Sequence, residues 1–222
     1  MLRSVDAEGP DELWCLGDLV GYGPQPNRCC ELVAERADVS LIGNHDLGVL
    51  GRIDLEDFSP DAAASARWTA GVLEDAPRRF LESLSPSSVL DRAELYHASP
   101  RDPVWEYVLA PEVAYLSLEA TEKPLVLVGH SHIALHFGAE DLTLELGEEG
   151  LEVDLARGRW LLNPGSVGQP RDGNPRAAWL LLDLDAQKAA YRRVEYPVEK
   201  TQAEIRERGL PEQLAVRLES GI

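Results

Sequence analysis

The chain has five histidines, and two of them flank one serine at the end of an apolar run, LVLVGHSH from Leu125 to His132. The same kind of ending recurs. LWCLG runs into Asp18, VSLIG runs into Asn44-His45-Asp46, and the short segment ELY runs into His97. In α/β sheets, ligands gather outside the carboxyl ends of the strands, so these four endings would converge on one place. Asp and Asn favour turns on their own account. One such ending therefore carries little weight, while four rich in carboxylate, amide and imidazole read as a donor set.

Mixed imidazole, carboxylate and amide donors suit a borderline or hard divalent cation such as Mn, Fe or Zn, with no thiolate placed to compete. His130 and His132, at i and i+2, are predicted to share one face of an extended backbone. That spacing would give one imidazole to each of two adjacent cations. Asp18 is a carboxylate that can bridge such a pair, and cations ~3.5–4 Å apart make the clamp used for phosphoester displacement. Each residue also has a local reading: Asp18 capping a turn, Asn44 holding a left-handed turn, His97, His130 and His132 lying on the surface. His136, deeper in the following strand, reads as structural, and Asp46 as a loop or supporting residue and not a ligand.

Other chemistries fail on their spacing. GYGPQP is a turn, since neither GK[ST] nor a third glycine follows. GHSHI has Ile133 where a nucleophile elbow needs its second glycine. Cys15, Cys29 and Cys30 form no CxxC pair and no thiol-nucleophile pattern, and all three read as buried small hydrophobes in a reducing cytosol.

The elements that must position these residues follow from the apolar pattern. ELWCLG and VSLIG read as buried strands around a helix opened by Pro26, a βαβ unit with parallel strands. Helices are predicted over DAAASARWTAGVL, over Ala76 to Leu84 and over Pro111 to Glu122, with a hairpin around Asp91-Arg92. From PLVLVGHSH onward, strand follows strand through KAAYRRVEY, and a last helix covers Lys200 to Glu219. The pattern predicts two packed sheets with helices outside, in a single domain spanning residues 1–222. No apolar run reaches the ~20 residues of a membrane helix, and MLRSVDAEGPDELW has no signal-peptide core. A formal net charge of −18 argues against broad duplex nucleic-acid binding. It leaves room for a small phosphoester if bound cations reverse the local field. Association into a homo-oligomer stays open.

Taken together, GDLVGYGP, GNHD, GHSH and NPGSVGQPR resemble the calcineurin-like metallophosphoesterases, in particular their small bacterial and archaeal phosphodiesterase branch. The resemblance runs from about Asp11 to Asp185. It implies an α/β fold, a four-layer α/β/β/α sandwich of two mixed sheets flanked by helices, in a cytoplasmic hydrolase. It also implies two divalent cations bridged by Asp18, with Asn44, His97 and His130 completing the second site and His132 serving the first. His45 would then lie beside the substrate phosphate, stabilising charge or protonating the leaving oxygen, and Arg171 would reach the substrate. The implied nucleophile is metal-bound hydroxide, acting on phosphodiesters more than on phosphoproteins.

One family feature is absent. Members begin with a strand ending in Asp-x-His, whereas the twelve residues before Leu13 contain no histidine and read as the tail of a helix with Gly9 past its end. The first strand is thus missing, the first cation site keeps Asp18 and His132 alone, and a sheet edge is expected to be left unpaired. One expectation is that Met1 is internal to a longer protein. The other is a genuine short form with a reduced centre. The alternative to an enzyme is a degenerate phosphoesterase fold that binds a metal or a partner without turnover, and a purely structural α/β protein is a third reading.

Overall fold

The computed structural model of the chain describes residues 1–222. Helix α1 (Leu2–Glu8) ends at Gly9, whose φ of 65° is the left-handed turn that glycine adopts freely. β1 (Trp14–Cys15), α2 (Pro26–Arg36) and β2 (Val39–Ser40) form the expected βαβ unit, with Trp14 opposite Val39 in parallel register. Both strands are shorter than their apolar runs, and β1 pairs with β2 alone. A helix not anticipated from sequence, α3 (Asn44–Val49), begins directly at the second strand's exit.

α4 (Pro60–Val72) is capped by Ser59, whose hydroxyl accepts from the Ala62 amide at 3.4 Å. There follow α5 (Asp75–Glu82), the hairpin β3 (Ser87–Val89) and β4 (Ala93–Tyr96), α6 (Pro111–Glu119) and β5 (Leu125–Val128). The strand-rich half holds β6 (Ala134–Gly138), β7 (Thr143–Leu146), β8 (Glu152–Asp154), β9 (Trp160–Pro164), β10 (Ala177–Asp183) and β11 (Lys188–Val194). The single terminal helix expected over Lys200–Glu219 is instead α7 (Val198–Glu207) and α8 (Glu212–Val216), the latter running into a 3₁₀ turn. Gly209, at φ 68°, and Pro211 at the α8 N-cap make the break.

A mixed six-stranded sheet, in order β3-β4-β5-β9-β6-β7, faces the antiparallel β10-β11-β8 and the pair β1-β2. Strand alternation explains why LVLV is apolar throughout. Leu125 and Leu127 enter the core between the sheets with Leu41, Leu95, Leu162 and Tyr191. Val126 and Val128 pack under α6 with Ala114 and Leu118. A strand buried on both faces needs no polar positions. In β1, Trp14 and Leu16 turn inward while Cys15 packs toward the helical layer of Cys30, Ala66 and Leu81. The result is the four-layer α/β/β/α sandwich. Cys30 is buried as expected and Cys15 partly so, but Cys29 is exposed, on the side of α2 that borders an open cavity.

The expected unpaired edge is present, and there are two. β1 has no partner beyond β2, and β10 none beyond β11. The Ala178 amide donates to the Ser166 carbonyl at 2.8 Å, away from β11. By alternation, Leu180 and Leu182 turn their backbone groups the same way. Both edges line one cavity of about 1570 Å³ with Trp14, Leu16, Leu180 and Leu182 on its walls and Asp18 and His132 at its end.

Candidate metal centre

All four strand exits deliver their polar residues to one spot, and three of those residues sit in backbone that side chains seldom adopt. Asp18, His130 and His132 have φ of 54°, 60° and 60°. Left-handed non-glycine residues cost free energy and persist only where surrounding contacts hold them. This corrects one expectation: His130 and His132 do not converge by strand alternation, because GHSH is a tight loop between β5 and β6 and not extended backbone. The loop is clamped by Asn163, fully buried on β9. Its Nδ2 donates to the Gly129 carbonyl at 2.7 Å and the Ser131 hydroxyl at 3.0 Å, and its Oδ1 accepts from the Gly165 amide at 2.9 Å.

Asp18 stands between two imidazoles. His97 Nε2 lies 3.6 Å from Asp18 Oδ1, and His132 Nε2 lies 3.8 Å from Asp18 Oδ2. The other nitrogen of each ring is committed to a carbonyl: His97 Nδ1 to Leu16 at 2.8 Å and His132 Nδ1 to Gln169 at 2.8 Å. Those bonds fix the tautomer and aim the Nε2 lone pairs at the carboxylate, the arrangement in which backbone contacts orient metal-binding histidines. Asn44 Oδ1 is 3.2 Å from His97 Nε2. One donor atom each from Asp18, His97 and His130 falls within 4.8 Å of the others.

Several of these atoms are sealed from water with no partner in the chain: Asp18 Oδ2 and both nitrogens of His130. Buried polar atoms without partners are costly, and a cation would satisfy them. The donor chemistry therefore fits a divalent ion. Burial alone would raise the Asp18 pKa, but the neighbouring imidazoles of His97, His45 and His132 outweigh it and hold the carboxyl below its usual range. Burial pushes His130 down to about 3, with His97 adding to the shift, which leaves its imidazole neutral and able to ligate.

Asp46, expected to support the site and not to ligate, spends its carboxylate on backbone amides. Its carboxylate accepts from the Val20 amide at 3.0 Å and the Gly43 amide at 2.9 Å, tying the loop after β1 to the start of α3. Burial and the nearby Asp18 push its pKa up to about 7. Gly43 is fixed by space: a Cβ there would stand 2.6 Å from the Asp18 nitrogen and 2.6 Å from His97 Cε1. His45 caps this corner. Its amide donates to Asp18 Oδ1 at 3.0 Å, and its ring packs against Tyr22 with centroids 4.3 Å apart. Nδ1 is buried against Gly21, so Nε2 is the nitrogen left toward the opening. Burial lowers its pKa to about 4.

Arg171 reaches the opening too, its Nη2 donating to the Tyr22 hydroxyl at 3.1 Å and to Gln169 Oε1 at 2.9 Å. The expected site residues Asp18, Asn44, His45, His97, His130, His132 and Arg171 thus lie around one opening. His136 stays apart, 3.3 Å from Glu145 and packed near Trp160 and Tyr191, as its structural reading required. Sequence reasoning missed Tyr22 and Asn163. GYGP and NPGS were the available signals, but neither names a partner.

A cluster of carboxylate, amide and imidazole at the strand exits of an α/β/β/α sandwich, three of its members in left-handed backbone, is the donor set of a metallophosphoesterase-type centre. The family model of the calcineurin-like phosphoesterase superfamily domain matches residues 1–187, and the chain belongs to that family. It is 37% identical over 223 residues to an uncharacterized protein, MJ0912, of Methanocaldococcus jannaschii, covering 98% of this chain and 90% of that one. The crystal structure of a metallophosphoesterase from Sphaerobacter thermophilus superposes with a TM-score of 0.91 at 41% identity, over 100% of this chain and 93% of that one. A hypothetical protein, PH1004, from Pyrococcus horikoshii OT3 shares the fold, with a TM-score of 0.76 at 19% identity over 100% of this chain and 90% of that one. No helix is long and apolar enough to cross a membrane.

Proposed function

We propose that this metallophosphoesterase hydrolyses phosphodiesters at a centre where Asp18 is shared by two divalent cations. The observation that carries the reading is the two-sided Asp18. One carboxylate oxygen faces His97 and the other faces His132, and each imidazole is locked with its lone pair inward. Asn44, His97 and His130 would hold one cation with Asp18, and His132 the other. When bound, such ions, Mn, Fe or Zn by donor chemistry, supply positive charge for the phosphoryl oxygens and lower the pKa of water.

The chain's own groups do the remaining work. His45 presents Nε2 at the opening and stabilises charge on the phosphate or hands a proton to the departing oxygen. Arg171 has Tyr22 and Gln169 to hold its guanidinium in place, and its Nη1 points no hydrogen bond at the chain. A phosphodiester carries one negative charge, which one such guanidinium matches. The two sides of Asp18 are unequal, three further donors against one, so uptake of the two ions should be unequal as well. This asymmetry favours a second reading, a metal-binding protein without turnover. Hydrolysis of bis-p-nitrophenyl phosphate, p-nitrophenyl phosphate and a phosphoserine peptide with added Mn²⁺ separates the two. Faster cleavage of the diester supports the proposal, and metal uptake with no cleavage of any substrate supports the second reading.

A further inference from the structure

The chain is sparing with aromatic side chains, three phenylalanines, five tryptophans and six tyrosines, yet Tyr22 and Tyr107 touch His132 and His130 directly, and Phe58 and Trp105 follow behind His45. Tyr107 stacks on His130 with centroids 4.0 Å apart and planes inclined by 27°. Trp105 meets Phe58 edge-on at 5.3 Å, and Phe58 meets His45 at 5.1 Å. Tyr107 nonetheless keeps 45% of its surface exposed. An aromatic ring left open beside the reacting centre is a surface on which another flat ring can stack.

The segment that carries the ring is tied down. The segment after His97 is folded on itself by the Ala98 amide donating to the Pro103 carbonyl at 3.1 Å and by Asp102 Oδ1 accepting from the Val104 and Trp105 amides at 3.1 Å. Ser99 and Arg101 fasten Glu106 at 2.6 and 3.1 Å, and Val108 is buried beneath α6. A rigid platform loses little freedom on binding. With a net charge of −18 the chain as a whole does not draw in an anion from a distance, so contact with the uncharged part of the substrate would add to the attraction of the cations and Arg171 at the site.

Building on the phosphodiesterase reading, we infer that Tyr107 and its neighbour Trp105 form a subsite for a nucleobase, making nucleoside phosphoesters the substrate class. The phosphoryl group would lie between the donor cluster and Arg171, and the base over Tyr107.

The test is calorimetric binding of adenosine 5′-monophosphate and ribose 5-phosphate, with Mn²⁺ present, to the wild type and to Tyr107→Ala, Tyr107→Leu and Tyr107→Phe. Hydrolysis of bis-p-nitrophenyl phosphate is recorded alongside. The wild type should prefer the nucleotide by about five- to 100-fold, the range of base–aromatic stacking. Tyr107→Phe should keep the preference, and Tyr107→Ala should bring it to within about twofold. Tyr107→Leu, which keeps an apolar side chain over His130, should show the same loss if the alanine variant misfolds. Equal binding of the two ligands by the wild type, no binding of either, or a preference that survives Tyr107→Leu overturns the subsite. Hydrolysis without the preference removes the subsite and leaves the phosphodiesterase reading standing. The preference without hydrolysis does the reverse.

Discussion

Replacing Asn163 by alanine probes how the GHSH loop keeps two histidines in left-handed backbone. The side chain makes three hydrogen bonds and is fully buried. The Gly129 carbonyl keeps a second partner, the Ser131 amide at 2.6 Å, so its loss is cushioned. The Gly165 amide has no other partner in the chain. Losing the bonds costs about 1 kcal/mol each, and stranding a donor adds about 1–3 kcal/mol. With partial relaxation the total is about 2–4 kcal/mol. At ~2–4 °C per kcal/mol for a domain of this size, the midpoint should fall by about 4–16 °C. Because His130 and His132 then lose the contact holding their loop, Mn²⁺ affinity should fall as well, read by calorimetry at a temperature where the variant is folded. Asn163→Asp keeps the acceptor for Gly165 but sets a carboxylate oxygen against the Gly129 carbonyl, so it should be no better. A stability loss under about 1 kcal/mol, the worth of a single hydrogen bond, together with unchanged Mn²⁺ affinity would refute the clamp.

Three further outcomes follow from the same geometry. His45→Ala should lower turnover by about 10²–10⁴-fold, the usual worth of a positioned proton-transfer group, while metal content measured by mass spectrometry stays normal; equal metal loss would contradict its place beside the substrate. Gly43→Ala puts a Cβ against Asp18 and His97, so metal uptake should collapse even where circular dichroism shows a folded chain, and normal uptake would show that the corner can yield. Burial lowers the His136 pKa against a smaller opposing effect of Glu145. The unfolded chain therefore takes up a proton near pH 6.5, before the native ring does, and that contribution to stability is present above this pH and declines as pH falls. His136→Leu should flatten the fall in stability that begins below about pH 6.5; parallel wild-type and variant curves in urea titrations would rule this out.

The site was more legible in the sequence than the means of building it. Asp18, Asn44, His97, His130 and His132 could be picked out because each follows an apolar run, and a strand exit is a local feature. The geometry that joins them is not local. His130 and His132 converge through a left-handed loop whose clamp, Asn163, lies 32 residues beyond Ser131, and no pattern in the sequence links the two. Asp46 ties two exits through backbone amides that any sequence possesses. In the fold, the alternating burial of LVLV was readable because both faces of β5 are apolar. The terminal helix was read as continuous because its apolar spacing persists through Gly209 and Pro211, although those two residues were signals of the break. Tyr107 escaped notice because an aromatic residue in a loop looks like packing until its ring is seen on His130.

The most direct test of the account is Mn²⁺-dependent hydrolysis of bis-p-nitrophenyl phosphate by the wild type and by Asp18→Asn, with bound metal counted in both. Turnover should rise with Mn²⁺ in the wild type, and Asp18→Asn, which lacks the charge shared between His97 and His132, should lose both turnover and tight metal binding. Turnover that persists in Asp18→Asn, or that proceeds equally well without metal, would contradict it.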